Sequence, residues 1–387
     1  MTFQYSNNTH IVFGREAVAS LKDVLQQRGA TSVLLVSSGD YVDDLGIRDR
    51  VKNAAEAVGA RFSENRNVVS NPRIDLVRTL IGQSRHDGVD LIIGAGGASS
   101  FDTAKAVAVG VPYDGDVWDL FTGTRFERRL AVGVIATLAG SGSEVSDCAV
   151  IQEGTDKRAL EDYRLTPDFA LVNPEYSATV PYRYQAAAAA DLAYSFLEPY
   201  FASEVEIESA DRLLEGGFLA ALRAGRYYAE HPESYSVRAE LHWLSAAAFN
   251  HCYLATGRAN DWTTHRLEHA LGGEFDIVHG EGIAALGPSI IRYVARRKPE
   301  RYARLAVRAL GVDPYDVPAE GAALILADRL EEHFRALRLP TGLGQLGIPK
   351  DSYEHVADGL TGDGTSTVGN YSPLNRQDVL EILRQAS

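Results

Sequence analysis

Three histidines close together in the second half of the chain are the residues best suited to do chemistry. His265 and His269 are four residues apart, which places both on one face of a helix, and His279 follows soon after them. Imidazole nitrogens bind zinc and ferrous iron, and near neutral pH they also accept and release protons. A lone histidine is more often a surface or core residue, but three together predict a metal site, an acid–base site or both.

Two loops rich in glycine and serine in the first half predict a site for a phosphate-bearing ligand. Residues 94–105 read GAGGASSFDTAK and residues 137–145 read TLAGSGSEV, and each stretch follows a short apolar run. Glycine lets the backbone approach a pyrophosphate closely, and the N-terminus of the following helix attracts its negative charge. A tight turn would explain one isolated glycine pair equally well. Two such loops at neighbouring strand ends favour one extended dinucleotide.

An acidic residue follows the first apolar run of the chain, residues 31–37, in the sequence Ser38-Gly39-Asp40. Asp40 can accept hydrogen bonds from free ribose hydroxyls, whereas a 2′-phosphate would meet a like charge. The same aspartate could instead simply cap the helix that follows it. The first interpretation predicts NAD as the cofactor in preference to NADP.

The elements that must position these residues change character along the chain. In the first half, short β-branched apolar runs alternate with amphipathic stretches, as in parallel strands covered by helices. The predicted strands are 31–37, 90–94, 131–137 and 169–172, preceded by an edge hairpin at 3–14. From Pro181 onward, segments with helical spacing such as 184–202 and 320–337 predict helices only. We therefore predict an α/β, Rossmann-like dinucleotide-binding domain over residues 1–178 and an all-α domain over residues 179–387.

Composition and charge exclude several classes of protein. The chain has 52 acidic and 38 basic side chains, and the resulting net charge of −14 would repel a polyanion, so nucleic acid is not an expected partner. The sequence has no apolar run of membrane-spanning length and no secretory pattern at its start. Cys148 and Cys252 are far apart and offer neither a disulfide framework nor a thiolate metal cage. We expect a cytoplasmic protein without a membrane partner.

Three segments resemble the signatures of one enzyme family. GGASSFDTAK resembles the GGGSxxDxAK motif, and TLAGSGSEV the TTAGTGSEV motif, of the iron-containing alcohol dehydrogenases. Residues 261–282, DWTTHRLEHALGGEFDIVHGEG, resemble that family's metal-site signature and are closest to its butanol-dehydrogenase and broad-range aldehyde-reductase branch. Agreement at 156–159, 166–167 and 173–174 extends the resemblance over nearly the whole chain. It implies the fold shared with dehydroquinate synthase and a nicotinamide-dependent redox activity.

The family's cofactor contacts can be carried onto matching positions of this chain. By resemblance, the glycine loops would hold the pyrophosphate and flank the adenosine and nicotinamide, and the end of the first strand would contact the ribose. The implied cofactor-binding residues are Ser38, Gly39, Asp40, Gly96, Gly97, Ser99, Asp102, Thr137, Leu138, Ser143 and Lys157. Ala98 replaces the third glycine of the first motif, which weakens the pyrophosphate site if that position needs a positive φ.

The resemblance also implies four side chains around one divalent metal, zinc or iron. The matching positions are Asp191, Ser195, His265 and His279, and Ser195 stands where the family has a histidine. Since a hydroxyl is a poor replacement for imidazole, two alternatives stay open: a metal held by the three remaining ligands with water in the gap, or a site that works without metal. His251 could supply a substitute ligand or base, although a packing role is the simpler interpretation.

Together these residues imply hydride transfer between NAD(P) and an alcohol, aldehyde or ketone. His269 is the predicted proton relay and His265 a second catalytic candidate. The altered ligand set favours a specialised natural-product or peptide substrate, for example a β-hydroxy acid that is oxidised and then decarboxylated. Two alternatives stay open, an NAD-using cyclase resembling dehydroquinate synthase and a redox-dead homologue that binds a partner enzyme. Members of the family commonly form homodimers or larger homo-oligomers.

Overall fold

The computed structural model describes residues 5–202, 206–250 and 260–387, and this part of the chain forms two compact units. The first, the α/β unit, contains Ser6–Val180 together with Ser245–Asn250. The second, the helical unit, contains Pro181–Leu244 and residues 260–387, with residue 5. The boundary after residue 178 stays a prediction of where two domains would separate.

The α/β unit is built on a six-stranded sheet in which every pair of neighbouring strands is parallel. Its strands are β1 (His10–Phe13), β2 (Ser32–Ser37), β3 (Arg61–Asn65), β4 (Leu91–Gly96), β5 (Ala131–Ala136) and, later in the chain, β8 (Phe169–Val172). Between the last two, β6 (Cys148–Glu153) and β7 (Asp156–Glu161) form a separate antiparallel hairpin. The spatial order β1-β8-β5-β4-β2-β3 makes β2, β4 and β5 neighbours. The loops that follow these three strands therefore meet at one edge of the sheet.

Helices cover both faces of this sheet, which explains why its four central strands, β8, β5, β4 and β2, are buried and largely apolar. They are α1 (Leu21–Arg28), α2 (Tyr41–Asp44), α3 (Ile47–Ala57), α4 (Ile74–Asp87), α5 (Ala98–Gly110) and α6 (Val117–Phe121). Successive residues of a strand point to opposite faces, so Leu34 and Val36 join one buried apolar cluster and Val33 and Leu35 another. Helices α4 and α5 contribute to the first cluster, and α1 and α3 to the second. A strand buried on both faces has no polar alternation.

The helical unit contains nine helices within the described residues. They are α7 (Tyr182–Tyr200), α8 (Glu208–Glu230), α9 (Tyr235–Phe249, whose last five residues belong to the α/β unit), α10 (Thr263–Phe275), α11 (His279–Ala295), α12 (Glu300–Leu310), α13 (Ala319–Ala336), α14 (Tyr353–Thr361) and α15 (Arg376–Gln385). Helix α7 is buried over most of its length, and its alanine run allows α11 to approach closely. A Cβ on Gly280 would lie 1.9 Å from the Ala187 carbonyl oxygen, so only glycine fits there. This close approach fixes where α11 begins relative to α7.

The structure confirms the predicted fold class, a parallel α/β half followed by a helical half. Each of the four predicted strands corresponds to an observed one within two residues at either end. The predicted edge hairpin at 3–14 is wrong for the described residues, because only His10–Phe13 is a strand and it pairs in parallel with β8. The Asn7 side chain accepts a hydrogen bond from Thr9 N and donates one to the Val145 carbonyl, and so makes a local turn just before β1. No helix in the described part of the chain is long and apolar enough to cross a membrane.

Candidate functional site

The first glycine loop connects β4 to α5 in a conformation that requires glycine. Gly96 has a φ of +142°, and a Cβ there would lie 2.5 Å from the hydroxyl oxygen of Tyr41 and 2.8 Å from that of Ser100. Gly97 is the N-cap of α5, and Ala98 and Ser99 form its first turn. Ala98 is not among the residues with positive φ, so the alanine fits this position without strain. The loop thus keeps the geometry that a glycine motif needs, and it leads into the N-terminus of a thirteen-residue helix.

The second glycine loop, which follows β5, lies directly against the first. Thr137 N donates to the Gly96 carbonyl at 2.8 Å, and the Leu138 side chain lies where it would be 3.3 Å from a Cβ on Gly97. Further along, Gly140 N and Gly142 N both donate to the Ser245 hydroxyl, at 3.1 and 3.0 Å. Ser245 is buried and belongs to the α/β unit, although it is far away in sequence. The structure therefore brings the two predicted loops together and adds a hydroxyl that fixes the second.

A buried polar network beneath the loops ties them to the β6–β7 hairpin. Asp102 accepts hydrogen bonds from the Ser143 hydroxyl at 2.6 Å and from Val150 N at 3.0 Å. Lys105 Nζ donates to the Ser143 hydroxyl at 3.0 Å and to the carbonyls of Ser146 and Cys148, at 2.9 and 2.8 Å. Burial lowers the pKa of Lys105 and raises that of Asp102, and their mutual attraction opposes both shifts. Both oxygens of Asp102 are thus occupied by protein groups, so its contact with Ser143 positions the loop.

At the end of β2, Asp40 has a different environment from the one expected of a helix cap. It is the N-cap residue of α2, but its side chain makes no capping hydrogen bond. The side chain is 89% exposed and lies 3.2 Å from Arg66 Nη1. Gly39, with a φ of +73°, donates its N–H to the Arg66 carbonyl at 2.9 Å. Lys157, the last predicted cofactor residue, lies on β7 opposite Gln152.

In the helical unit, three predicted metal ligands come together from three helices. Asp191 lies on α7, His265 on α10 and His279 at the start of α11, and one ligand atom from each lies within 4.8 Å of the others. Asp191 Oδ1 is 3.3 Å from His265 Nε2 and 3.7 Å from His279 Nε2. This oxygen is buried and accepts no hydrogen bond within the described residues. The arrangement is that of a site in which all three atoms can bind one cation.

Each of the two imidazoles is hydrogen-bonded through Nδ1 to its own buried glutamate. His265 Nδ1 is hydrogen-bonded to Glu198, and His279 Nδ1 to Glu268. Glu198 also accepts from Thr264 N in the first turn of α10, at 2.5 Å. A carboxylate on Nδ1 fixes the imidazole tautomer that leaves Nε2 with its lone pair, as in carboxylate–histidine–zinc groups. Both Nε2 atoms therefore point towards Asp191 and can bind a metal there.

The charges around the cluster are not balanced by protein groups alone. Asp191, Glu198 and Glu268 are all buried and lie against two imidazoles. Burial by itself lowers the pKa of His265, but the Glu198 and Asp191 carboxylates outweigh it and raise the pKa to about 10. Without a metal His265 therefore carries a proton on both nitrogens, and a cation bound at Nε2 would take the place of the proton that faces Asp191. One oxygen and two nitrogen donors in this surplus of negative charge suit zinc or ferrous iron. The residues present therefore fit a divalent metal.

The two remaining predicted positions differ in their relation to this cluster. Ser195 is buried on α7 one turn after Asp191, and its hydroxyl donates to the Asp191 carbonyl at 3.0 Å. His269 is half-buried on α10, with its ring centre 5.5 Å from that of His279. His251, considered as a substitute ligand, lies outside the described residues. The structure thus brings His269 to the edge of the cluster, and the Ser195 hydroxyl is engaged with the helix backbone.

Comparison with known proteins identifies the family. The model of the iron-containing alcohol dehydrogenases matches residues 8–174, and the model of the C-terminal part of the same family matches residues 196–387. NADH-dependent butanol dehydrogenase A of Clostridium acetobutylicum is 30% identical to this chain over 394 residues, and the match covers 100% of both proteins. The chain belongs to the iron-containing alcohol dehydrogenase family.

Solved structures and other relatives agree with this assignment. The crystal structure of NADH-dependent butanol dehydrogenase A from Thermotoga maritima has a TM-score of 0.93 and 28% identity, and the match covers 100% of this chain and 98% of that one. The NADPH-dependent aldehyde reductase of Escherichia coli is 27% identical, over 99% of this chain and 98% of its own length. This iron-containing alcohol dehydrogenase is thus an NAD(P)-dependent oxidoreductase of alcohols and aldehydes, from a family that uses a divalent metal.

Several residues that support the site of this iron-containing alcohol dehydrogenase were not predicted from the sequence. Ser245 contacts the second loop and Arg66 contacts Asp40, and no local pattern marks either residue, since their partners are distant in sequence. Lys105 ends the first family motif, but its bond to Ser143 of the second loop was not predicted. Glu198 matches a family position, but its bond to His265 depends on how α7 and α10 pack. Trp262 is also unexpected: it has a φ of +51°, and its ring lies edge-on to His265, with the ring centres 4.9 Å apart.

Proposed function

We propose that this enzyme interconverts an alcohol with the corresponding aldehyde or ketone, using NAD as the cofactor and one divalent metal. The observation that carries the proposal is the cluster of Asp191, His265 and His279, in which glutamates orient both imidazoles. Such an arrangement is costly in a protein without a ligand, because it buries three carboxylates, Asp191, Glu198 and Glu268, around two imidazoles. Its position in a family of NAD(P)-dependent dehydrogenases supports the same chemistry.

The metal, zinc or iron, would be held by a carboxylate oxygen of Asp191 and by Nε2 of His265 and His279. When bound, it would withdraw charge from the alcohol or carbonyl oxygen and so stabilise negative charge there. Three protein ligands with a fourth position left to water or substrate are typical of catalytic zinc sites. The cluster of Asp191, His265 and His279 therefore favours an open site with three ligands over a metal-free one.

The cofactor would be held by the α/β unit. Backbone N–H groups of Gly97 and Ser99 at the N-terminus of α5 suit a pyrophosphate, and Gly96 leaves room for it. Thr137 and Leu138 lie against this loop and would flank the dinucleotide. Its nicotinamide ring, when bound, accepts a hydride from the alcohol or returns it to the carbonyl. The remaining proposed contacts are those of Ser38, Gly39 and Asp40 with the ribose, of Ser143 positioned by Asp102, and of Lys157.

His269 would carry the proton that an alcohol loses on oxidation. It lies one helical turn after His265 and beside His279, and a positioned imidazole can act as a general acid or base. We expect His269→Ala to keep NADH binding and to lower turnover about a hundredfold or more. His355→Ala, which removes an exposed histidine on α14, is the matched control. Unchanged turnover in His269→Ala would remove this residue from the mechanism.

Metal analysis tests the central claim directly. Protein purified without chelator should contain about one zinc, iron or manganese per chain. His265→Ala and His279→Ala should lose it, and His355→Ala should retain it. A wild-type protein that neither contains a metal nor binds added Zn²⁺ or Fe²⁺ would contradict the proposal. Net reduction of NAD in the presence of an alcohol would distinguish the proposed dehydrogenase from a redox-dead homologue and from a cyclase that regenerates its cofactor in each turnover.

Ser195 favours one specialised substrate class in addition to simple alcohols. A site with three protein ligands leaves more of the coordination sphere to the substrate than one with four. A β-hydroxy acid, free or at the end of a natural product or peptide, offers both a hydroxyl and a carboxylate oxygen. Oxidation of its hydroxyl yields a β-keto acid, which loses carbon dioxide without further catalytic groups. Measuring kcat/KM and carbon dioxide release with β-hydroxy acids and with butanol would decide between the two classes.

We also propose that the enzyme is cytoplasmic and forms a homodimer or larger homo-oligomer. The absence of a disulfide-forming cysteine pattern in the sequence supports a reducing compartment. Light scattering on the purified protein would test the oligomeric state.

A further inference from the structure

The residue before helix α10 has a backbone conformation that is rare for a large side chain. Trp262 is the N-cap of α10, with φ 51° and ψ 24° in the left-handed region. Such a conformation is an outlier for a bulky residue, and it persists only where the surrounding structure holds it. The half-buried ring of Trp262 lies edge-on to the imidazole of His265, with the ring centres 4.9 Å apart. The strained residue thus contacts a proposed metal ligand.

A loop late in the chain holds the residue before Trp262. Residues 368–374 form this loop, which is closed by two backbone hydrogen bonds between its first and last residues, of 3.0 and 2.8 Å. We call it the 368–374 loop. Asp261 is buried, and its Oδ1 atom accepts hydrogen bonds from Asn370 N and Tyr371 N, both at 2.8 Å. The chain is therefore fixed to the loop immediately before Trp262.

The residue after Trp262 packs against a glycine of the same loop. Gly369 has a φ of +86°, and a Cβ there would lie 2.3 Å from the hydroxyl oxygen of Thr263, the first residue of α10. Any side chain at this position would therefore displace Thr263. The loop itself is anchored, because the buried Tyr371 accepts a hydrogen bond from Arg301 N in the first turn of α12, at 3.1 Å.

Two contacts from opposite parts of the helical unit therefore act on the imidazole of His265. Glu198 is bonded to Nδ1 and fixes the tautomer, while the edge of the Trp262 ring restricts rotation of the imidazole. An apolar ring beside a metal ligand also keeps water away from it, and exclusion of water strengthens the attraction between the ligands and a cation.

We propose that Trp262 is a positioning residue for the metal, and that the 368–374 loop keeps it in its strained conformation by holding Asp261 and Thr263. This inference rests on the proposed function, since it takes His265 as a metal ligand. A purely structural Trp262 would affect the stability of the protein without changing how the folded protein binds a cation. Zn²⁺ affinity and the visible spectrum of the Co²⁺ form therefore distinguish the two roles.

Two glycine substitutions test the part played by the loop. In competition with a chromophoric chelator, Gly369→Ala should bind Zn²⁺ about tenfold more weakly or worse, because its Cβ displaces Thr263 and with it the adjacent Trp262. Gly347→Ala is the matched control. Gly347 also has a positive φ, +75°, but no other group of the described residues lies within 4 Å of an added Cβ. Its Zn²⁺ affinity should stay within about threefold of the wild type.

Substitutions of Trp262 separate the ring from the backbone. Trp262→Asn should weaken Zn²⁺ binding about tenfold or more and change the Co²⁺ spectrum, because asparagine tolerates the left-handed conformation but lacks the ring. Trp262→Phe should keep the wild-type spectrum and an affinity within about threefold, since the edge of a phenyl ring can still pack against the imidazole.

Urea unfolding of each variant shows whether it is folded under the conditions of the metal titration. Wild-type Zn²⁺ affinity in folded Trp262→Asn would overturn the proposal, and so would equal losses of affinity in Gly369→Ala and Gly347→Ala. If Gly369→Ala does not fold, the two Trp262 variants decide the question. A wild-type protein that binds neither Zn²⁺ nor Fe²⁺ would instead contradict the proposed function.

Discussion

Replacing Glu198 by glutamine would test how the helical unit prepares its metal-binding imidazole. The glutamine oxygen can keep the hydrogen bond from Thr264 N, which is 2.5 Å in the structure. The amide nitrogen would then face His265 Nδ1 and would have to donate to it. His265 would consequently carry its proton on Nε2, the atom that faces Asp191 at 3.3 Å. In that tautomer Nε2 has no lone pair to offer a metal.

The size of the effect follows from these contacts. Loss of a carboxylate partner behind a histidine ligand typically lowers metal affinity ten- to a hundredfold, which corresponds to about 1.4 to 2.7 kcal/mol. We expect the upper part of this range, because the substitution changes the tautomer and also removes one of three buried negative charges near the cation. Folding should be affected less, since the substitution keeps the side-chain volume and the bond to Thr264 N.

Competition with a chromophoric chelator for Zn²⁺ would measure the affinity, and the visible spectrum of the Co²⁺ form would report the ligand geometry. Glu215→Gln is a suitable control, because Glu215 is also buried in the helical unit but its carboxylate is paired with Tyr200, Arg212 and Arg308, away from the cluster. Wild-type affinity and an unchanged Co²⁺ spectrum in Glu198→Gln would refute the reasoning. An equal loss in Glu215→Gln would attribute the effect to general destabilisation.

Three further substitutions test the metal site, the network beneath the glycine loops and a buried histidine of the helical unit. Ser195→His should tighten Zn²⁺ binding about tenfold or more by adding an imidazole, and Ser195→Ala should not; unchanged affinity in the histidine variant would show that position 195 does not face the ligands. Lys105→Met should lower the free energy of unfolding by about 3 kcal/mol or more in urea titrations and weaken NADH binding, whereas Lys52→Met, on the surface of α3, should do neither. Burial lowers the pKa of His333 from 6.5 to about 4. As the pH falls from 6.5 to 4, the imidazole becomes protonated in the unfolded chain before it does so in the folded one, and the free energy of unfolding decreases by about 3 kcal/mol. His333→Leu should flatten the pH dependence of unfolding there, and an unchanged slope would contradict this assignment.

The strands and the glycine loops were predictable because their signals are local. A strand buried on both faces must be a continuous apolar run, and the runs at 31–37 and 131–137 show it directly. Gly96 could be predicted as a loop residue because a glycine pair follows an apolar run in the sequence. In the structure its positive φ and crowded surroundings leave no room for a side chain. The edge hairpin was misjudged because an asparagine-rich turn has the same local sequence whether or not another strand precedes it.

The sequence by itself determined four strands of the sheet, the change to a helical second half, the two loops and, through the family's motifs, the candidate ligands Asp191, His265 and His279. It did not reveal β3 or the β6–β7 hairpin. Only the tertiary structure decided which groups hold them: Glu198 and Glu268 behind the imidazoles, Ser245 on the second loop, and Arg66 beside Asp40. Hydrophobic periodicity specifies which face of an element is buried, but it does not specify which polar side chain of a distant element will lie opposite. Those partners are determined when the helices and strands pack, because each buried donor or carboxylate then needs a hydrogen-bond partner and only the groups that packing places nearby can supply it.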